Sequence, residues 1–336
     1  MRLRRRLVAI AAGAFVVAVP LFQASSAQAF TGSAQAKVFE PNPVVTLQDE
    51  TLTDQKDADY AALQAAYRTV TLTNLDGSGY LRGDYADVCG TKSCAFSSNA
   101  TYLFGRDHTW FEQVMAYYAI TQAQLYIQSL GFTNVNNEPQ LVRADQYGGD
   151  NSFYDPKKDT ITVGKGGVDD GEDLEVIWHE LGHAIQDDQV PGFGVGHDSN
   201  SIGEGFGDYW AFTMTQANSP DTATTPLACI ADWDSISYTV GDAVHCLRRV
   251  DLDLTVDDQT GKIHHDGQIW SRALYDIHTA LGRETADTII LQAQFDFGVD
   301  PSFAEAAQAT VDAAEAIAGH GAAIKVRKAF QDRGIL

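Results

Sequence analysis

His179, Glu180 and His183 stand in the order His-Glu-Leu-Gly-His. On a helix, histidines four residues apart project from the same face, one turn above the other. Their ring nitrogens can then meet on one divalent ion, each at about 2 Å. Glu180 reaches the same space from a neighbouring direction and can take a proton from water without ligating the metal. A catalytic zinc takes three protein ligands and keeps one position for water, so a further ligand must come from another element. The segment Ser201-Ile-Gly-Glu-Gly-Phe-Gly-Asp208 offers Glu204 and Asp208, again one helical turn apart. Glu204 is the candidate third ligand. Asp208 is the candidate acceptor for the other ring nitrogen of His179, an interaction that fixes the tautomer. The expected cofactor is Zn2+ and the expected chemistry is metal-assisted hydrolysis.

These residues need helices to present them. Asp169, Asp170, Glu172 and Asp173 suit the positive end of a helix running from residue 169 to about 187, with Leu174, Ile177, Trp178, Leu181 and Ile185 along one face. A second apolar-rich helix is predicted over 202–214. Upstream, 109–130 reads as a helix with Trp110, Val114, Tyr117, Tyr118, Leu125 and Ile127 as its apolar set and Gly131 at its stop. Residues 140–144 and 161–163 read as strands, and 151–154 pairs with 160–163 as a hairpin. Residues 30–60, polar and carrying Pro41 and Pro43, read as an extended arm, and 74–79 as a turn between apolar runs. The alternation of Val250, Leu252, Leu254 and Val256 predicts a strand. Helices follow over 267–281, 284–294, 301–318 and 321–332.

The chain has 336 residues, 23 Lys+Arg and 45 Asp+Glu. Its first residues, MRLRRR, precede an apolar run to Phe22 and a small-x-small site at Ala27 and Ala29. That order reads as a secretory signal peptide spanning 1–29. Its removal takes four arginines and leaves a net charge near −26. Such a surface repels nucleic acid and anionic membranes, and no later segment is apolar enough for a membrane anchor. A secreted monomer is expected, with Ca2+ as a possible additional ion. Four cysteines follow the signal, and three pairings are open; Cys89–Cys94 and Cys229–Cys246 are favoured because each pair is close in sequence. The absence of Cys-x-x-Cys spacing argues against a structural zinc site.

The motifs together resemble the gluzincin metallopeptidases, and within them the fungalysin-like relatives of thermolysin. Residues 38–43, 167–173, 203–211 and 321–336 carry the resemblance alongside the His-Glu-Leu-Gly-His helix. Gly203 departs from thermolysin, which has an asparagine at the matching position. The resemblance implies an α+β, two-lobe fold: a β-rich N-terminal lobe over 30–188 ending in the zinc helix, and a mainly helical C-terminal lobe over 189–336. It implies that His264 stabilises the oxyanion, with His265 as the alternative, because the family carries a histidine shortly before a Gly-x-x-Trp helix. It also implies that Asn151 and Ser152 lie on an edge strand that takes the substrate backbone. Arg248 or Arg249 is a further candidate for binding the substrate carbonyl. The expected activity is zinc-dependent endopeptidase cleavage of peptide or protein substrates. Two rivals stay open: a zinc hydrolase acting on a non-peptide amide or ester, and a non-catalytic secreted binding protein on the same fold.

Overall fold

The computed structural model describes residues 32–90 and 93–336. The signal-peptide reading lies outside the described residues. The segment read as an arm is instead ordered structure. Ala34, Ala36 and Val38 are buried while Gln35 and Lys37 turn outward, and this period-two pattern makes β1 (Gly32–Phe39). A short α1 (Pro43–Leu47) follows, capped by Asn42, whose side chain accepts from Val45 N. Next come β2 (Tyr67–Leu75), β3 (Ala86–Asp87) and β4 (Thr101–Tyr102). β1 is the middle strand of a three-stranded sheet, antiparallel to β2 and parallel to β4.

α2 (Phe111–Ser129) is wholly buried over most of its length, which is why its two faces contact β1, β2, β3 and β5 as well as α3. Leu125, read as part of its apolar set, faces solvent. A four-stranded sheet follows, in the order β3, β5 (Gln140–Tyr147), β7 (Thr160–Gly164), β6 (Phe153–Asp155). β6 and β7 form the expected antiparallel hairpin, with Tyr154 opposite Ile161, and β6 is the sheet edge.

α3 (Leu174–Gln189) starts later than the acidic run implied. Asp170–Glu172 form a 3-10 turn, and Asp173 becomes the N-cap, accepting from Glu175 N at 3.0 Å. Glu172 is held instead by Arg106 Nε at 2.8 Å and Trp233 Nε1 at 3.0 Å, which ties the start of α3 to two distant loops. α4 (His197–Gln216) packs along α3 and extends beyond the expected span at both ends.

β8 (Cys229–Ile230) and β9 (Arg248–Arg249) form a two-stranded ribbon, with Cys229 opposite Arg249. Cys229 is bonded to Cys246 and Cys89 to Cys94, the pairing favoured from sequence. The strand expected over 250–256 does not form. Val250 is buried but Leu252 is exposed, and Leu254 N turns back onto Leu252 O. The last four helices are α5 (Ile263–Leu281), α6 (Arg283–Gln294), α7 (Phe303–Ala318) and α8 (His320–Asp332). α5 begins four residues before its predicted start, so His264 and His265 belong to its first turn rather than to a junction ahead of it. The fold is thus mixed α and β, with all but the short β8–β9 ribbon of its strands in the first half and helices dominating the second.

Candidate metal centre and catalytic cleft

α3 presents His179 and His183 with ring centroids 5.0 Å apart. α4 crosses this face closely enough to bring Glu204 between them. Its Oε2 lies 3.4 Å from His179 Nε2, and its Oε1 lies 3.8 Å from His183 Nε2. One ligand atom from each residue falls within 4.8 Å of the other two. Glu204 Oε2 is buried and closes on His179 and His264 without an aligned hydrogen bond to either. Two imidazole nitrogens and a carboxylate, with lone pairs turned toward one point, form a donor set that fits zinc.

Close helix approach depends on glycine. A Cβ on Gly207 would lie 2.7 Å from His179 Nδ1, and one on Gly182 would lie 2.9 Å from Gly207 Cα. Gly205 and Gly267 serve α4 and α5 in the same way, each facing the other's backbone.

His179 Nδ1 lies 2.9 Å from Asp208 Oδ1, leaving Nε2 toward Glu204. Burial opposes charge on His179, but the hydrogen bond to Asp208 and the nearby carboxylate of Glu204 outweigh it and raise its pKa to about 10. Burial pushes His183 down to about 4, so its ring is neutral and its lone pair free. Glu204 is held below its ordinary value, since the imidazoles of His179 and His183 outweigh its burial. Burial lifts Glu180 to about 7, with the charge of Glu204 adding and that of His179 opposing.

A cavity of about 420 Å³ exposes these groups. Asn151, Ser152, Glu180, His183, Glu204 and His264 are among its lining residues. His264 Nε2 lies 3.3 Å from Glu204 Oε2, while His265 pairs with Asp266 at 3.0 Å. The structure thus brings His264, not its neighbour, to the centre. Asn151 and Ser152 line the cavity just before the edge strand β6, but Ser152 Oγ is engaged internally, donating to Asp170 Oδ2 at 2.5 Å. Arg248, which sequence could not separate from Arg249, donates to Asp208 from Nε and Nη2, both at 2.8 Å. Arg249 turns away to Asp251. Asp187 and Asp188, near the end of α3, are occupied separately: Asp187 accepts from Gly192 N and Asp188 from Asn136 N.

No family model matches this chain, and no curated protein matches it. Among solved structures it is similar to the precursor of protealysin, a metalloproteinase from Serratia proteamaculans, with a TM-score of 0.54 and 19% sequence identity. The match covers 67% of this chain and 79% of that one. At that identity the likeness concerns the fold. It supports the thermolysin-like fold expected from the sequence and does not single out the fungalysin-like branch.

Proposed function

We propose that this chain is a secreted, zinc-dependent endopeptidase that hydrolyses peptide bonds in the cleft between its strand-containing part, 30–188, and its helical part, 189–336. The observation that carries this reading is the convergence of His179, His183 and Glu204 from two helices, within 4.8 Å, beside a buried Glu180. His179, His183 and Glu204 hold the ion. When bound, zinc supplies Lewis acidity, making water a better nucleophile and polarising the scissile carbonyl. Glu180, raised toward neutrality by burial, takes the proton from the attacking water and returns it to the leaving amine. His264 donates to the oxygen that becomes negative, from the first turn of α5. Asp208 fixes the tautomer of His179, and Arg248 holds Asp208 in place. The free edge of β6 can accept an extended substrate as an added strand, with Asn151 binding its main chain. Placement with the fungalysin-like enzymes rests on residues 203–208 and the other sequence motifs.

The decisive variant is Glu180→Gln. It should retain zinc after dialysis while losing at least about a hundredfold in kcat on quenched peptides. Cleavage at the parental rate would remove Glu180 from the mechanism. Hydrolysis of small esters without any peptide cleavage would overturn the peptidase reading itself.

A further inference from the structure

A second cavity, of about 260 Å³, opens off the metal cleft and shares Asn151, Ser152, His179, Glu180 and His264 with it. Val176, Ile230 and Leu247 give it apolar walls. Asp150, Asp170 and Asp234 also line it, and one oxygen from each lies within 4.8 Å of the others. Asp150 is exposed, whereas Asp170 and Asp234 are only 2% and 4% exposed. Asp150 Oδ1 accepts from Tyr238 OH at 2.7 Å, and Asp170 Oδ2 from Ser152 Oγ. Asp170 Oδ1 and Asp234 Oδ1 are buried without a hydrogen-bond partner outside the pair, the two carboxyls facing each other. Buried carboxylate oxygens in that condition are destabilising until a cation or donor reaches them.

We propose that this acidic cavity is the specificity pocket of the peptidase, and that it receives the side chain of a lysine or arginine adjacent to the scissile bond. The inference rests on the peptidase reading and adds the substrate class to it. Its shape follows the ligand: apolar walls beside the methylene stem and carboxylates at the charged end. Its opening beside Glu180 places the residue it holds next to the reacting carbonyl. Val176, Ile230 and Leu247 offer a calcium ion no side-chain oxygen, while Glu175 and Arg248, which also line the cavity, are engaged by Thr215 and Asp208. Asp170 and Asp234 face each other, and a basic side chain entering between them would replace that contact with charge-assisted N–H bonds to both carboxylates.

The test has two readouts on the zinc-loaded protein. First, a peptide library is digested and its cut positions read by mass spectrometry, and kcat/KM is compared for matched peptides carrying lysine or norleucine at the enriched position. Lysine or arginine should be enriched on one side of the cut, and lysine favoured over norleucine by at least about tenfold. Asp234→Asn and Asp170→Asn should each collapse that ratio, with circular dichroism and zinc content checking that the fold survives. Cleavage without a basic preference would overturn the pocket assignment and leave the peptidase reading standing. So would an unchanged ratio in both variants, or one stoichiometric calcium ion retained by the parent and lost from Asp234→Asn. Second, calorimetry compares binding of a blocked lysine dipeptide with its norleucine counterpart and needs no turnover. A lysine preference there, with no peptide cleaved, would uphold the pocket and overturn the peptidase reading.

Discussion

Asp208 answers to two donors at once. It accepts from His179 Nδ1 at 2.9 Å and from the Arg248 guanidinium at 2.8 Å, and it is fully buried. Burial alone would raise its pKa, but Arg248 and His179 outweigh burial and hold it below the usual carboxylate range. Asp208→Asn therefore keeps the volume but loses the charge that fixes His179 and balances Arg248. We expect it to weaken zinc affinity by about 10–100-fold, read by competition with a chromogenic chelator. Unaltered affinity would mean that His179 needs no such partner. At this scale the sequence was informative where the chemistry is local. His179, Glu180 and His183 sit within one turn and a half of helix, and Glu204 and Asp208 within another, so spacing alone placed them. Arg248 was not separable from Arg249, because adjacent arginines differ only in what the folded chain puts beside them. The acidic cavity was also hidden. Asp170 read as a helix-start acid, and its convergence with Asp234 belongs to tertiary packing.

Helix approach sets the geometry one level up. The α3–α4 contact passes over Gly182 and Gly207, and a Cβ at Gly207 would meet the His179 ring at 2.7–3.0 Å. That ring is held on its other side by Glu204, whose Oε2 lies 3.4 Å from Nε2, and cannot swing freely. Gly207→Ala should lower stability by about 1–3 kcal/mol and loosen zinc, measured by thermal unfolding and metal content. Gly203→Ala on the same helix is the contrast. Its nearest neighbour is the end of the flexible Gln186 side chain, at 3.2 Å. There the better helix propensity of alanine offsets the crowding, and stability should change by less than about 1 kcal/mol. Equal losses in the two variants would show that propensity, not contact with His179, sets the outcome. Helical elements are legible because their apolar positions repeat over several turns, whereas the caps Asp173 and Ser302 lie inside the spans expected from sequence. The short strands are less legible. Polarity and Pro41 and Pro43 make residues 30–60 read as an arm, although the alternation of β1 is present within them. The alternation at 250–256 misleads in the other direction, since among the described residues no neighbouring strand lies there to pair with it.

Across the whole molecule, acid exceeds base by 22 charges, and part of that excess is folded inward rather than left to solvent. Burial lifts Asp170 to about 6, with Asp150 adding, and pushes Asp234 well above its ordinary value, with the charge of Asp170 adding. A carboxyl whose folded pKa is raised binds its proton more tightly in the native state than in the unfolded one. Below the unfolded value of about 4 both states are protonated and the cluster carries no penalty. As pH rises through the folded values the native state must ionise against burial, and stability falls. The penalty is complete above roughly pH 6 for Asp170 and persists at alkaline pH. Asp234→Asn removes one of these charges and should raise the melting temperature of the zinc-loaded protein by about 2 °C or more at pH 8. The gain should shrink toward zero near pH 4. A variant that is less stable at pH 8, or equally stabilised at both values, would show that Asp234 is already compensated within the fold. The same substitution is expected to erase the preference for basic residues. On the proposed reading, the pair of carboxylates beside the cleft is kept for what it binds rather than for the fold it weakens.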